Sequence, residues 1–172
     1  MNRRLTAPIV IVATAFALSG CVIFPPVGGG GVPAPTPIPG ETLIPVDPNA
    51  CDGGTLRLDR PGEYRIGDCD ELELSGTDIE VIAGELGTVT IRGDRNELAA
   101  GSIGALDIEG QENEVDATSI GSVGIRGDRN DVDSSGDIGA VTVAGNDNEV
   151  NYAGQVGAVD DRGDRNEIRL DR

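Results

Sequence analysis

The sequence predicts an all-β chain whose single domain is a parallel β-solenoid, or β-helix, of about six short coils. Repetition is the first observation. Ile91-Arg-Gly-Asp-Arg-Asn-Glu-Leu98 returns as Ile108-Glu-Gly-Gln-Glu-Asn-Glu-Val115, Ile125-Arg-Gly-Asp-Arg-Asn-Asp-Val132, Val143-Ala-Gly-Asn-Asp-Asn-Glu-Val150 and Asp161-Arg-Gly-Asp-Arg-Asn-Glu-Ile168. The asparagines fall at 96, 113, 130, 148 and 166, evenly spaced to within a single position. A fixed step with two apolar runs per copy corresponds to one coil per repeat. The second observation is alternation, as in Leu86-Gly-Thr-Val-Thr-Ile91 and Ile103-Gly-Ala-Leu-Asp-Ile108, where every other residue of the last four is aliphatic, the period of a half-buried strand. The third is side-chain size. From Cys51 onward the only aromatic residues are Tyr64 and Tyr152, too few to fill the ~10 Å between the sheets of a sandwich. A narrow lumen lined by Val, Ile and Leu has no such need.

The N-terminus has the layout of a lipoprotein export signal over residues 1–20. Asn2-Arg3-Arg4 is a basic start, and Leu5 to Leu18 is an apolar run, shorter than the ~20 residues that span a bilayer as a helix. Leu18-Ser19-Gly20-Cys21 follows and resembles the lipobox of bacterial lipoproteins, which implies cleavage before Cys21 and acylation of that residue. Several acyl chains anchor firmly, because each buried CH₂ contributes about 0.8 kcal/mol. Residues 21–50 then combine the lipidated cysteine with a tether: eight prolines and the Gly28–Gly31 run occur between 22 and 50, a composition that buries no core and forms a semi-extended spacer.

The solenoid domain is expected over 51–172. Cys51 and Cys69 stand one coil apart and are the remaining even pair in an exported chain, so a disulfide between them is expected. Thr55-Leu-Arg-Leu58 and Tyr64-Arg-Ile66, around Arg60-Pro-Gly62, read as an irregular cap clipped by that bond. Cys69-Asp-Glu-Leu-Glu-Leu74 joins the frame of the later repeats, Ile120-Gly-Ser-Val-Gly-Ile125, Ile138-Gly-Ala-Val-Thr-Val143 and Val156-Gly-Ala-Val-Asp-Asp161 continue it, and each Asn-acid-aliphatic segment supplies a second short strand. Asp161, where earlier coils carry an aliphatic residue, and Arg169-Leu-Asp-Arg172 read as the stop at the other end.

Stacking turns sequence spacing into columns. Asn96, Asn113, Asn130, Asn148 and Asn166 form a structural amide ladder. Two turn positions alternate in charge: Arg95, Glu112, Arg129, Asp147, Arg165, and Arg92, Glu109, Arg126, Ala144, Arg162. Opposite charges on neighbouring coils attract. The same columns account for the Arg-Gly-Asp triplets beginning at 92, 126 and 162 without an adhesion role. The residue after each ladder asparagine is always acidic, at Glu97, Glu114, Asp131, Glu149 and Glu167. Glu114, Asp116, Asp131, Asp133 and Glu149 are therefore candidate Ca²⁺ ligands, weighed against a merely solvated acidic face.

Charge excludes some partners. The formal net charge is −17, and removal of Arg3 and Arg4 with the signal makes the exported part more acidic still, so nucleic acid is not an expected partner. Catalysis is not expected either: the chain has no histidine, and its three cysteines are assigned to lipid and disulfide, leaving no nucleophile–base pair. The alternative, a carbohydrate-active enzyme on a β-helix, would need a groove with paired carboxylates.

The domain resembles the domain of unknown function 3060 family of exported actinobacterial proteins. The features that match are Cys51, Cys69, the Gly/Asn pairs at 93/96, 110/113, 127/130 and 145/148, and Asn148-Glu-Val-Asn-Tyr152, across roughly residues 51 to 168. The acidic residue after each asparagine differs from the threonine frequent in that family. The resemblance implies no activity. The expectation is a monomeric lipoprotein, exported and lipid-anchored at the outer face of the cell membrane or in the outer membrane. Its acidic solenoid would act as a non-catalytic structural or binding module of the cell envelope, with the bilayer as one partner, no obligatory cofactor, and a protein, glycan or cation as possible ligand.

Overall fold

The computed structural model describes Cys51 and residues 54–171. The expected signal peptide, Cys21 and the tether lie outside the described residues. Among those described there are twelve strands and no helix. In chain order they are β1 Thr55–Leu58, β2 Gly62–Arg65, β3 Cys69–Leu74, β4 Ile79–Ile82, β5 Leu86–Ile91, β6 Glu97–Ile108, β7 Glu114–Ile125, β8 Asp131–Ser134, β9 Ile138–Val143, β10 Glu149–Tyr152, β11 Val156–Asp161 and β12 Glu167–Leu170. Every pairing is parallel and joins a strand to its equivalent one coil on, which is a parallel β-solenoid.

Two ladders of seven rungs result. One runs through β1, β3, β5, the second half of β6, the second half of β7, β9 and β11. The other runs through β2, β4, the first halves of β6 and β7, β8, β10 and β12. There are thus about seven coils, at the ~4.8 Å spacing of hydrogen-bonded strands roughly 30 Å of stack. The additional coil is the segment expected as an irregular cap. Leu56 and Leu58 register with Leu72 and Leu74, and Tyr64 registers with Val81, so the cap is itself a first coil. The disulfide between Cys51 and Cys69 is present, its Cα atoms 4.8 Å apart, the distance between adjacent coils.

The lumen is made of four aliphatic columns. One is Leu72, Val89, Leu106, Val123 and Val141, each at most 3% exposed. Leu74, Ile91, Ile108, Ile125 and Val143 form the second, and Leu86, Ile103, Ile120 and Ile138 the third. Val81, Leu98, Val115, Val132 and Val150 face them from the second ladder. Burial of each such side chain contributes about 1.5–3 kcal/mol, which makes these columns the principal source of stability.

A fifth column is polar and equally buried: Asn96, Asn113, Asn130 and Asn148 are 1–2% exposed. Its chemistry is closed. The Oδ1 atom of Asn113 accepts the backbone N–H of Asn96 at 2.9 Å and its Nδ2 at 3.0 Å, while the Nδ2 of Asn113 donates to Gly93 O and Asn130 Oδ1, both at 3.0 Å. Asn130 and Asn148 repeat this pattern. An amide has two acceptor sites and two donors, and here all four are used. Burial therefore carries none of the usual cost of an unmet polar group.

The backbone bends to present this side chain. The residue before each ladder asparagine, from Arg95 (φ 54°) to Arg165 (φ 57°), has a positive φ without being glycine, a conformation that costs roughly 1–2 kcal/mol for a residue with a Cβ. Glycine is required three residues before the asparagine for a different reason: a Cβ on Gly127 would lie 1.6 Å from the carbonyl oxygen of Gly110 in the coil before. The ends of the ladder are also terminated. Asn96 Oδ1 accepts the backbone N–H of Ile79 at 3.1 Å. At the other end Asp161 Oδ1 accepts Asn166 Nδ2 at 2.8 Å, standing in for the asparagine oxygen of a further coil.

The asparagine spacing lengthens by one position after Asn130, and the lengthening has a single location. Ala117 pairs with Ser134 and Ile120 with Ile138, so the longer coil carries its extra residue in the corner between them. β6 and β7 run unbroken through that corner; both longer coils are interrupted there, between Ser134 and Ile138 and between Tyr152 and Val156, as is the shorter coil between Ile82 and Leu86.

Replacing Asn130 by Ala strands donors on Asn113 and acceptors on Gly110 and Asn148, and should cost on the order of 3 kcal/mol in urea unfolding. Asn166→Ala, at the end of the ladder, should cost clearly less. Gly127→Ala should prevent the native stack from forming, read as loss of the cooperative transition.

Candidate functional site

The outward face of the second ladder carries the most concentrated charge. Strand register places Glu63, Glu80, Glu97, Glu114, Asp131, Glu149 and Glu167 in one column. Two of these, Glu63 and Glu80, were not among the acidic residues singled out from the repeat, because they lie in coils without the asparagine. Two residues along the strands, a parallel column holds Asp116, Asp133, Asn151 and Arg169. The alternation that puts the following residue, such as Leu98 or Val132, into the lumen forces its acidic neighbour outward.

Arg169 relieves one end of this face. Its guanidinium bonds Glu149 and, at 2.7 Å, Glu167, and its Nε donates to Asn151 Oδ1 at 2.9 Å. Among the described residues, no ion pair involves Glu97, Glu114 or Asp131. Asp131 is the most perturbed: partial burial, then the charges of Asp133, Glu149, Glu114 and Asp116, push its pKa up to about 6. Its Oδ1 is shut away from solvent without a hydrogen-bond partner. Glu97 is raised by desolvation and then by Glu80, Glu114 and Asp116.

The candidate Ca²⁺ ligands Glu114, Asp116, Asp131, Asp133 and Glu149 are thus brought to one face, in two adjacent columns. They do not converge: among the described residues no group of three or more Asp, Glu, Cys or His is arranged to hold a metal ion. A column of strands spreads carboxylates along a line, whereas a Ca²⁺ shell needs six to eight oxygens around a point.

The turn columns behave differently. Arginines reach back to the coil before: Arg95 to Asp78 at 2.9 and 3.0 Å, Arg129 to Glu112 at 2.8 and 3.0 Å, and Arg165 to Asp147 through two bonds. The Arg95 guanidinium holds the Asp78 carboxyl below its usual range, and Arg165 does the same for Asp147. In the second turn column Arg92 bonds Glu73 and, at 3.1 Å, Glu109; Glu109 is shared with Arg126 at 2.8 Å. The Asp of the Arg-Gly-Asp triplets is engaged too, since Asp94 Oδ1 accepts Gln111 N–H and Asp128 Oδ1 accepts Asn146 N–H. Both ends of the first two triplets therefore bond neighbouring coils. These pairs are exposed and contribute little each to stability; their effect is on register.

The sign of the Asp131 titration follows from its raised pKa. Protons are bound more tightly folded than unfolded, so this residue favours folding below about pH 4 and loses that contribution as pH rises through about 6. Asp78 and Asp147 act in the opposite sense, but only below their usual carboxylate range. Asp131→Asn should therefore raise the melting temperature at pH 7 and flatten its dependence between pH 4 and 7. An unchanged slope in the variant would contradict the assignment.

Neither a curated protein nor a solved structure matches this chain. The model of the family described as Protein of unknown function (DUF3060) matches residues 108–165, from the end of β6 to the turn before Asn166. That stretch holds three of the five ladder asparagines, and its match supports the resemblance to this family read from the repeat.

Proposed function

We propose that this protein is a surface lipoprotein: lipid on Cys21, a Pro/Gly tether over residues 22–50, and a rigid acidic solenoid held away from the membrane as a non-catalytic structural or binding module of the cell envelope. The Leu18-Ser19-Gly20-Cys21 sequence behind a short basic and apolar leader carries the anchoring half of this reading. For the module half, the supporting observation is the use of polar side chains within the stack: buried asparagines and turn arginines bond adjacent coils. Such a body resists deformation and presents a fixed charge pattern. The carboxylates of Glu97, Glu114 and Asp131, without ion pairs among the described residues, favour a second role, accumulation of cations. Because they lie along a line, this is screening rather than selective coordination.

Expressed in a bacterium with its native leader, the full chain should enter the membrane fraction and incorporate a labelled fatty acid. Cys21→Ser should lose the label and leave the membrane; equal fractionation of both forms would refute anchoring through this residue. On the purified protein, CaCl₂ and NaCl matched in ionic strength should raise the melting temperature comparably, and a rise specific to Ca²⁺ would contradict screening.

A further inference from the structure

In the second turn column arginine alternates with other residues, of which one is an acid. Its members Ser75, Arg92, Glu109, Arg126, Ala144 and Arg162 are placed one above another by the bonds Arg92 N–H to Leu74 O, Glu109 N–H to Ile91 O, Arg126 N–H to Ile108 O, Ala144 N–H to Ile125 O and Arg162 N–H to Val143 O. Between Arg92 and Arg126 stands an acid, Glu109, which both arginines hold. Between Arg126 and Arg162 stands Ala144, exposed and uncharged.

The arginines on either side adapt to that gap. Arg126 turns back, using Nη1 on Glu109 at 2.8 Å and Nη2 on Asp107 at 3.5 Å. Arg162 turns along its own strand, where Nε and Nη2 bond Asp160. A guanidinium has five N–H donors, so each keeps donors for a further acceptor. The two lie two coils apart, roughly 10 Å, with Ala144 one coil from each.

The missing side chain opens a notch. A depression of about 460 Å³ is lined by Ser122, Gly124, Arg126, Thr142, Ala144 and Arg162, within the size range of small-ligand sites, ~300–1,000 Å³. Gly124 deepens it, because the strand column that carries Asp107 and Thr142 on the adjoining coils has no side chain there. Two hydroxyl groups and the Asp107 carboxylate therefore border a space flanked by two cations.

We propose that this notch binds a small hydroxylated carboxylate, the chemistry of a sugar acid, with its carboxylate over Ala144 between Arg126 and Arg162. The ligand supplies the acid that the column lacks, and its hydroxyl groups meet Ser122, Thr142 and Asp107. Arginine suits this role because its planar fork matches a carboxylate. Asp107, Glu109 and Asp160 already pair with these two arginines and the chain carries a net charge of −17, so the ligand competes with carboxylates at the site and binding is weak. The proposal rests on the binding-module reading for its purpose and is independent of the membrane anchor.

The test is an amide NMR titration of the full chain with sodium glucuronate, glucose and inorganic phosphate, without membranes, so that its outcome is separate from that of the Cys21 experiment. Glucuronate should give saturable shifts at Gly124 and Ala144 with a dissociation constant in the millimolar range. Arg162→Gln should weaken it at least about tenfold. Ala144→Glu should abolish it and raise the melting temperature, by putting an acid back between the two arginines. Absence of saturable shifts, equal binding of glucose or phosphate, or full binding by Ala144→Glu would overturn the proposal.

Discussion

The structure depends on a buried amide whose hydrogen-bonding valences are all met by the coils on either side. Asn113 and Asn130 each bond both neighbouring coils and the carbonyl of a glycine. An aliphatic column excludes a one-residue slip, which would turn its side chains out of the lumen, but tolerates a slip of two. A column of amides does not, since a displaced coil would bury donors and acceptors without partners. The asparagines thus reinforce the register that the aliphatic residues stabilise; the left-handed residue before each of them recurs at Asp78, ahead of Ile79, so that bend belongs to the coil as a whole.

Once register is fixed, everything on the surface is a consequence of column membership. Charges that are a full coil apart in sequence become neighbours, and whether they attract or repel depends on the column. In the first turn column the sequence alternates Arg with Glu or Asp, and the resulting pairs join adjacent coils. On the outer face of the second ladder it does not alternate, and Asp131 is crowded by carboxylates on three strands. The contrast between these columns on one scaffold distinguishes surface chemistry that serves assembly from surface chemistry that does not.

Much of this was legible because the repeat is written in residues whose side chains do the stacking. Asn, Gly and alternating aliphatics announce coil, bend and lumen, and Cys51 and Cys69 announce their adjacency by being one coil apart. The first coil was not legible as a coil: Ile79 and Gly62 stand where the repeat phrase has asparagine, so residues 55–66 lack its signature although their aliphatic and tyrosine side chains fill the same lumen. Glu63 and Glu80 were missed in the acidic column for the same reason. The direction of the arginines was also beyond the sequence. Alternation alone allows Arg95 to join either neighbouring coil, and the structure shows it bonding Asp78 in the coil before. Convergence of the candidate Ca²⁺ ligands required three-dimensional closure, which a straight stack of strands does not provide.

The corner between Ser134 and Ile138 absorbs an additional residue while the strands on both sides keep their partners. Length at that corner is therefore decoupled from the packing of the lumen. A family of such proteins could vary the outer rim of the stack, or receive grafted peptides there, while leaving its interior untouched, which makes this edge the natural place for diversification.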